Sequence, residues 1–156
     1  MSLSQKLADL GIDLPPVATP AGAYVPAKVH GDLVYTAGQL PLVAGALPAT
    51  GKVSDGHGKV VPASDAREYA RLCALNAIAA AANAVGDVDR LTGVLKVTGF
   101  VASVPDFTAQ PSVINGASEL LGELFGDAGA HARSAVGVPV LPLDSPVEVE
   151  VVFTLD

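Results

Sequence analysis

The last strand-like segment of the chain alternates along its whole length. The odd-numbered positions from Val147 to Phe153 are apolar, and the even-numbered positions from Glu148 to Thr154 are mixed. Because successive side chains of a β-strand point to opposite faces of the sheet, this segment predicts a strand with one face in the core. Its second face carries two glutamates in a sequence with only 16 % charged residues. That face is therefore predicted to meet either solvent or another subunit.

The remaining elements are predicted from periodicity and from turn residues. Strands are expected at 24–30, 33–37, 92–103, 133–138 and 147–154, with one short strand at 60–61, and helices at 2–10, 64–86 and 107–125. Ser64 is the predicted N-cap of the second helix and Gly86 its end. The order predicts an α+β fold with two long helices on one face of the sheet. Residues 1–20 form a separate helix and proline-rich tether before a domain at 21–156.

Length and composition exclude several classes of protein. The 156 residues are enough for a single domain, and one cysteine, Cys73, rules out an internal disulfide framework or a cysteine-based metal cluster. The histidines His30, His57 and His131 have no metal-ligand spacing, so no metal site is expected.

Charge and hydropathy also bear on the partners and location. A net charge of −7 and nine dispersed basic residues weaken any nucleic-acid hypothesis. No apolar run reaches the roughly 18 residues of a membrane span, and the start does not resemble a signal peptide. A cytoplasmic protein without membrane or nucleic-acid partners is predicted.

The charged residues inside the last two strands are the candidate site. Arg133 offers a planar fork of donors that suits a carboxylate, and a partly buried glutamate can activate a water. The alternative is that Arg133 pairs with a structural carboxylate while both glutamates face solvent. If strands 133–138 and 147–154 formed a hairpin, Arg133 would lie on the order of 13 Å from Glu148 along the strands. Either the last strand pairs elsewhere in the sheet, or the two residues meet across subunits.

Four segments carry a resemblance to known proteins: Ala23–Val25, Val34–Pro41, Leu95–Val101, and Ala132–Val136 followed by Val147–Glu150. They resemble the RidA/YjgF family, which is also labelled endoribonuclease L-PSP-like. Together the segments cover residues 22–156, and their order and spacing make the match specific.

The resemblance implies a chorismate-mutase-like fold, a homotrimer with clefts between subunits, and a cofactor-free enamine/imine deaminase that converts 2-aminoacrylate-type intermediates to 2-oxoacids and ammonia. By the same resemblance Arg133 binds the substrate carboxylate and Glu148 activates the water. Tyr24 lines the cleft, and Gly38 and Ala135 provide backbone contacts.

The chain departs from the family pattern in ways that bear on activity. Ala135 stands where a Cys, Thr or Ser is usual, and His131 precedes the Ala-Arg pair. The usual cleft asparagine is not clearly matched, and Asn115 and Ser118 are both candidates for its place. A non-catalytic binder or sensor of small carboxylates, such as 2-oxoacids, is the alternative function, since it would need Arg133 but not Glu148. An endoribonuclease is a weaker alternative, and the substrate and pathway are not determined by the sequence.

Overall fold

The computed structural model describes residues 1–56 and 60–156, so the histidine at position 57 lies outside the described residues. Its helices are α1 (Leu3–Asp9), α2 (Ala63–Val85) and α3 (Gln110–Phe125), and its strands are β1 (Ala27–His30), β2 (Leu33–Thr36), β3 (Val53–Ser54), β4 (Val61–Pro62), β5 (Leu91–Ala102), β6 (Ala132–Val138) and β7 (Val147–Leu155). The predicted α+β class is confirmed.

Five strands form one mixed sheet in the order β1-β2-β7-β5-β6. β5 and β6 are parallel, while the other neighbouring strands of this sheet are antiparallel. β3 and β4 form a separate parallel pair, of which only the region of β4 was predicted. The last strand therefore lies in the middle of the sheet, and β6 lies at its edge. β6 and β7 do not form a hairpin, because β5 separates them.

The two long helices cover one face of the sheet. α2 lies against β2 and β7, α3 lies against β5 and β6, and the helices also pack against each other. The alternation predicted for the last strand is confirmed, since Val147, Val149 and Phe153 are fully buried beneath the helices. The opposite face is the open face, and it carries Glu148 and Glu150.

The structure corrects three predicted boundaries. β1 begins at Ala27, not at residue 24, because the chain bends at 21–24 before it enters the sheet. Ser64 is not the N-cap of α2: the extended Pro62 takes that position, and α2 follows β4 directly. α3 begins at Gln110, not at 107, which keeps Pro111 in the first turn, where its missing N–H needs no acceptor. Gly86 ends α2 with a φ of 84°, as predicted.

The N-terminal helix is fastened to the rest of the chain. Leu3 and Leu7 are buried in the common core. The backbone N–H and the hydroxyl of Ser4 donate to the Asp89 carboxylate at 2.7 and 2.8 Å, and these bonds lower the pKa of Asp89. The division into residues 1–20 and 21–156 stays a prediction. Within the described residues, no helix is long and apolar enough to cross a membrane.

Candidate functional site

Arg133 lies on the edge strand β6 and points toward the helices. Its register partner in β5 is Val97, which is fully buried on the helix-covered face. Paired residues of neighbouring strands share a face of the sheet, so the Arg133 side chain extends beside α3. Ala135 follows on the same face and is partly buried.

Neutral groups on α3 hold the Arg133 guanidinium. Its Nη1 donates to Asn115 Oδ1 at 2.8 Å and to Ser118 Oγ at 3.2 Å, and its Nη2 donates to the Pro111 carbonyl at 3.4 Å. Both Nη1 hydrogens are therefore used. Among the hydrogen bonds of the described residues, none uses Arg133 Nε. The edge formed by Nε–H and Nη2–H is the side-on fork that can grip a carboxylate with two parallel bonds.

Arg133 differs from the other arginines because it has no carboxylate partner among the described residues. The other three form ion pairs: Arg67 with Glu119, Arg71 with Glu123 at 3.6 Å, and Arg90 with Asp156 at 3.3 Å. The alternative of a structural ion pair at Arg133 is therefore not supported. A positive charge held only by neutral acceptors attracts an anionic ligand.

Glu148 occupies the middle strand β7 and points to the open face. Its register partner is Phe100 of β5, and its side chain is half-buried. Burial raises the pKa of Glu148, and the negative charge of Glu150 adds to that rise. A carboxylate with a raised pKa is a better base near neutral pH than an ordinary one. Glu150 lies on the same face and is exposed.

The Glu148 carboxylate occupies space that Gly38 leaves open. A Cβ built on Gly38 would overlap Glu148 Oε1, so any larger residue would displace the carboxylate from this position. The neighbouring Gln39 exchanges two backbone hydrogen bonds with Val149 of β7, at 2.8 and 3.0 Å. Asn76, buried in α2, donates to the carbonyls of residues 40 and 42. These bonds fix the segment that contains Gly38 against β7.

Tyr24 lies in the segment before β1, close to Gly38. Both residues line a cavity of about 130 Å³, and the Tyr24 side chain is about half exposed. The Tyr24 hydroxyl accepts a hydrogen bond from the Ala21 N–H at 3.2 Å. Its own hydrogen therefore remains for a ligand.

The predicted site residues form two separate groups. We call Arg133, Asn115, Ser118 and His131 the arginine cluster, and Glu148, Gly38 and Tyr24 the glutamate cluster. Arg133 aligns through Val97 of β5 with Val151 of β7, which is three residues from Glu148. The Cα atoms of Arg133 and Glu148 are therefore about 14 Å apart, and the two side chains point to opposite faces of the sheet. One subunit therefore does not bring both side chains to one small molecule.

The sequence did not indicate the roles of His131 and Asn76. His131 Nε2 lies 2.9 Å from Ser118 Oγ, so it belongs to the arginine cluster. The only signal for Asn76 was a polar residue within the apolar stretch 72–82 of the helix. A concavity of about 520 Å³ lies at neither Arg133 nor Glu148 but beside Gly137 and Gln110, further along β6.

Comparisons with known proteins agree on the family. A family model described as "YjgF/chorismate_mutase-like, putative endoribonuclease" matches residues 4–155. The protein TCP17 of Trypanosoma cruzi is 40% identical over 99% of this chain and 94% of its own length. The structure of a "putative endoribonuclease" from Shewanella oneidensis is 32% identical, with a TM-score of 0.91 over 99% of this chain and all of that one. Escherichia coli TdcF with bound serine is 26% identical, with a TM-score of 0.63 over 92% of this chain and 94% of its own.

Proposed function

The chain belongs to the YjgF/chorismate mutase-like family, and on that basis we propose that it is an enamine/imine deaminase. Its substrates would be reactive intermediates of the 2-aminoacrylate type, which carry a carboxylate. The products would be 2-oxoacids and ammonia.

The observation that carries the proposal is the edge of Arg133 formed by Nε and Nη2. The guanidinium is charged and has no carboxylate partner among residues 1–56 and 60–156. None of its hydrogen bonds among those residues uses Nε, and Nη2 uses one hydrogen, toward the Pro111 carbonyl at 3.4 Å. A planar carboxylate matches that edge with two charge-assisted hydrogen bonds. The relative TdcF was solved with serine, a small molecule that also has a carboxylate.

Glu148 supplies the base that hydrolysis needs. Its carboxylate takes a proton from water, the water oxygen bonds to the imine carbon, and Glu148 gives the proton to the imine nitrogen. In the resulting carbinolamine, the hydroxyl proton passes through Glu148 to the amino nitrogen as the carbon–nitrogen bond breaks, which releases ammonia and leaves the 2-oxoacid. Because imines also hydrolyse spontaneously, positioning and one activated water are sufficient catalysis. An enamine must first take a proton on carbon to become the imine.

The opposite faces of the two clusters support a site between subunits. In a homotrimer, the arginine cluster of one subunit would meet the glutamate cluster of a neighbour, with Arg133 and Tyr24 within about 8 Å across the boundary. Light scattering of the purified protein should give about three times 15.6 kDa. A monomer at micromolar concentration would contradict this assembly.

Turnover of an imine generated in the assay tests the activity. An amino-acid oxidase produces a 2-imino acid from an amino acid, and release of the 2-oxoacid is then followed with and without the protein. A catalytic amount of protein should accelerate the release, and Glu148→Gln should remove the acceleration. No acceleration by the wild type, over a range of amino acids, would overturn the deaminase proposal.

Carboxylate binding without catalysis is the second candidate, because the free Arg133 edge alone satisfies it. Titration with pyruvate separates the two candidates. A binder would take up pyruvate through Arg133 and accelerate nothing, whereas a deaminase would do both. Endoribonuclease activity has weaker support, since the net charge is −7 and a phosphate backbone requires clustered cations.

A further inference from the structure

A chain of hydrogen bonds runs from the backbone through His131 and Ser118 to Arg133. His131 Nδ1 lies 2.6 Å from the Gly129 carbonyl oxygen, and His131 Nε2 lies 2.9 Å from Ser118 Oγ. Arg133 Nη1 donates to the same Ser118 oxygen at 3.2 Å. His131 is two residues before Arg133 in the sequence, and Ser118 lies between their side chains on α3.

The chemistry of each group sets the direction of this chain. A carbonyl oxygen can only accept, so His131 Nδ1 carries the hydrogen. In the neutral imidazole Nε2 is then an acceptor, and the Ser118 hydroxyl donates to it. The lone pairs of Ser118 Oγ are thereby turned toward the Arg133 N–H. Of the two neutral tautomers of His131, only this one satisfies every bond in the series.

We infer that His131, acting through Ser118, is a positioning residue for Arg133. Ser118, oriented by His131, accepts from Nη1, while Nε is left for a carboxylate together with the Nη2 hydrogen that the Pro111 carbonyl does not use. Support of this kind reduces the rotational freedom that a long side chain would otherwise lose on binding. The consequence for substrate rests on the proposed function, whereas the orientation of the guanidinium does not.

Steady-state kinetics test the consequence for substrate. Ser118→Ala and His131→Phe should raise KM for the imino acid by about tenfold and change kcat by about twofold or less, because only carboxylate binding is weakened. His131→Gln, which restores an acceptor toward Ser118, should recover part of the KM. Ser112→Ala removes a hydroxyl from the same helix that bonds only to the Ala109 carbonyl, and it should leave both constants unchanged.

An unchanged KM in Ser118→Ala, or no recovery in His131→Gln relative to His131→Phe, would overturn the inference. If His131→Phe does not fold, Ser118→Ala carries the test, since alanine is well tolerated in a helix. If the wild type neither hydrolyses imino acids nor binds pyruvate, the proposed function fails. The inference is then decided by the following measurement.

Nitrogen-15 spectra of the labelled protein test the orientation without substrate. In neutral His131 the ring hydrogen should be on Nδ1 and not on Nε2. The two hydrogens on Arg133 Nη1 should give separate signals, because two hydrogen bonds slow rotation about the Cζ–Nη1 bond. These signals should merge in Ser118→Ala and persist in Ser112→Ala. A protonated Nε2 in neutral His131, or Arg133 signals unchanged in Ser118→Ala, would overturn the inference.

Discussion

Arg133 lies on an edge strand and faces the helices, whereas Glu148 lies on the middle strand and faces the open side of the sheet. The arginine cluster surrounds its cation with neutral acceptors. The glutamate cluster instead surrounds its anion with little more than the backbone of Gly38 and partial burial.

The difference suits the roles that the proposed function gives the two groups. A guanidinium stays charged at any physiological pH, so it can be held by hydrogen bonds without losing its affinity for an anion. A carboxylate that acts as a base must accept a proton, and burial without strong donors raises its pKa toward the working pH. In the proposed function, the arginine cluster therefore binds the substrate and the glutamate cluster transfers the proton. The following predictions test that division, from the largest expected effect to the smallest.

Removing the charge of Glu148 should affect turnover most. Glu148→Gln should lower imine hydrolysis by about 10²- to 10⁴-fold, as expected for the loss of a general base, while pyruvate binding persists. Glu150→Gln is the matched control, because it lies on the same strand and face but is exposed. Progress curves of 2-oxoacid release measure both. A larger loss in Glu150→Gln would mean that the base is assigned to the wrong glutamate.

Removing the fork of Arg133 should affect binding. Arg133→Ala should weaken pyruvate binding by about 10- to 100-fold, and Arg133→Lys should also bind poorly because a single ammonium cannot offer two parallel donors. Calorimetric titration measures the affinity. The melting temperature should change little, since no ion pair is broken. Unfolding of Arg133→Ala would indicate that the arginine is structural.

Adding a methyl group at Gly38 should displace the Glu148 carboxylate. Gly38→Ala should lower turnover by about tenfold, because the added Cβ meets a flexible side chain that can move aside. The loss should vanish in the Glu148→Gln background, since the two changes act on one group. Gly122→Ala is the control, where an added Cβ has nothing within 4 Å. Additive losses would show that Gly38 acts independently of Glu148.

Mixing inactive subunits tests whether the two clusters meet across a boundary. Arg133→Ala and Glu148→Gln subunits, coexpressed in equal amounts, should regain about a quarter of wild-type turnover, because a quarter of the interfaces pair two intact halves. Each variant alone is the control. Turnover no higher than that of the separate variants would place the site within one subunit, or exclude a shared site.

The smallest effect concerns stability. The folded pKa of Glu148 is raised, so its ionised form destabilises the fold at neutral pH, and this cost disappears below its unfolded pKa. Glu148→Gln should raise the melting temperature by about 1 to 3 °C at pH 7, kept small by the exposed part of the side chain. Melting curves on acidification should converge with those of the wild type. If the two melting temperatures differ by the same amount at all pH values, the difference comes from packing and not from the charge of Glu148.

Local patterns in the sequence predicted much of this arrangement. Alternation from Val147 to Phe153 identified the buried face of β7, and Gly86 identified the end of α2. Both candidates for the missing asparagine, Asn115 and Ser118, contact Arg133, because they are three residues apart and share a face of α3. These features depend on neighbours within a few residues.

The sequence by itself determined the fold class, the family and the residue types that suit a carboxylate. Only the tertiary structure decided that β7 enters between β2 and β5, and that Arg133 and Glu148 therefore point to opposite faces. The physical reason is that period-two alternation orders side chains within one strand but does not specify which strand lies beside it. Folding also places Gly38 next to Glu148 and His131 next to Ser118. Contacts between residues so far apart in the chain produce no pattern in the local sequence.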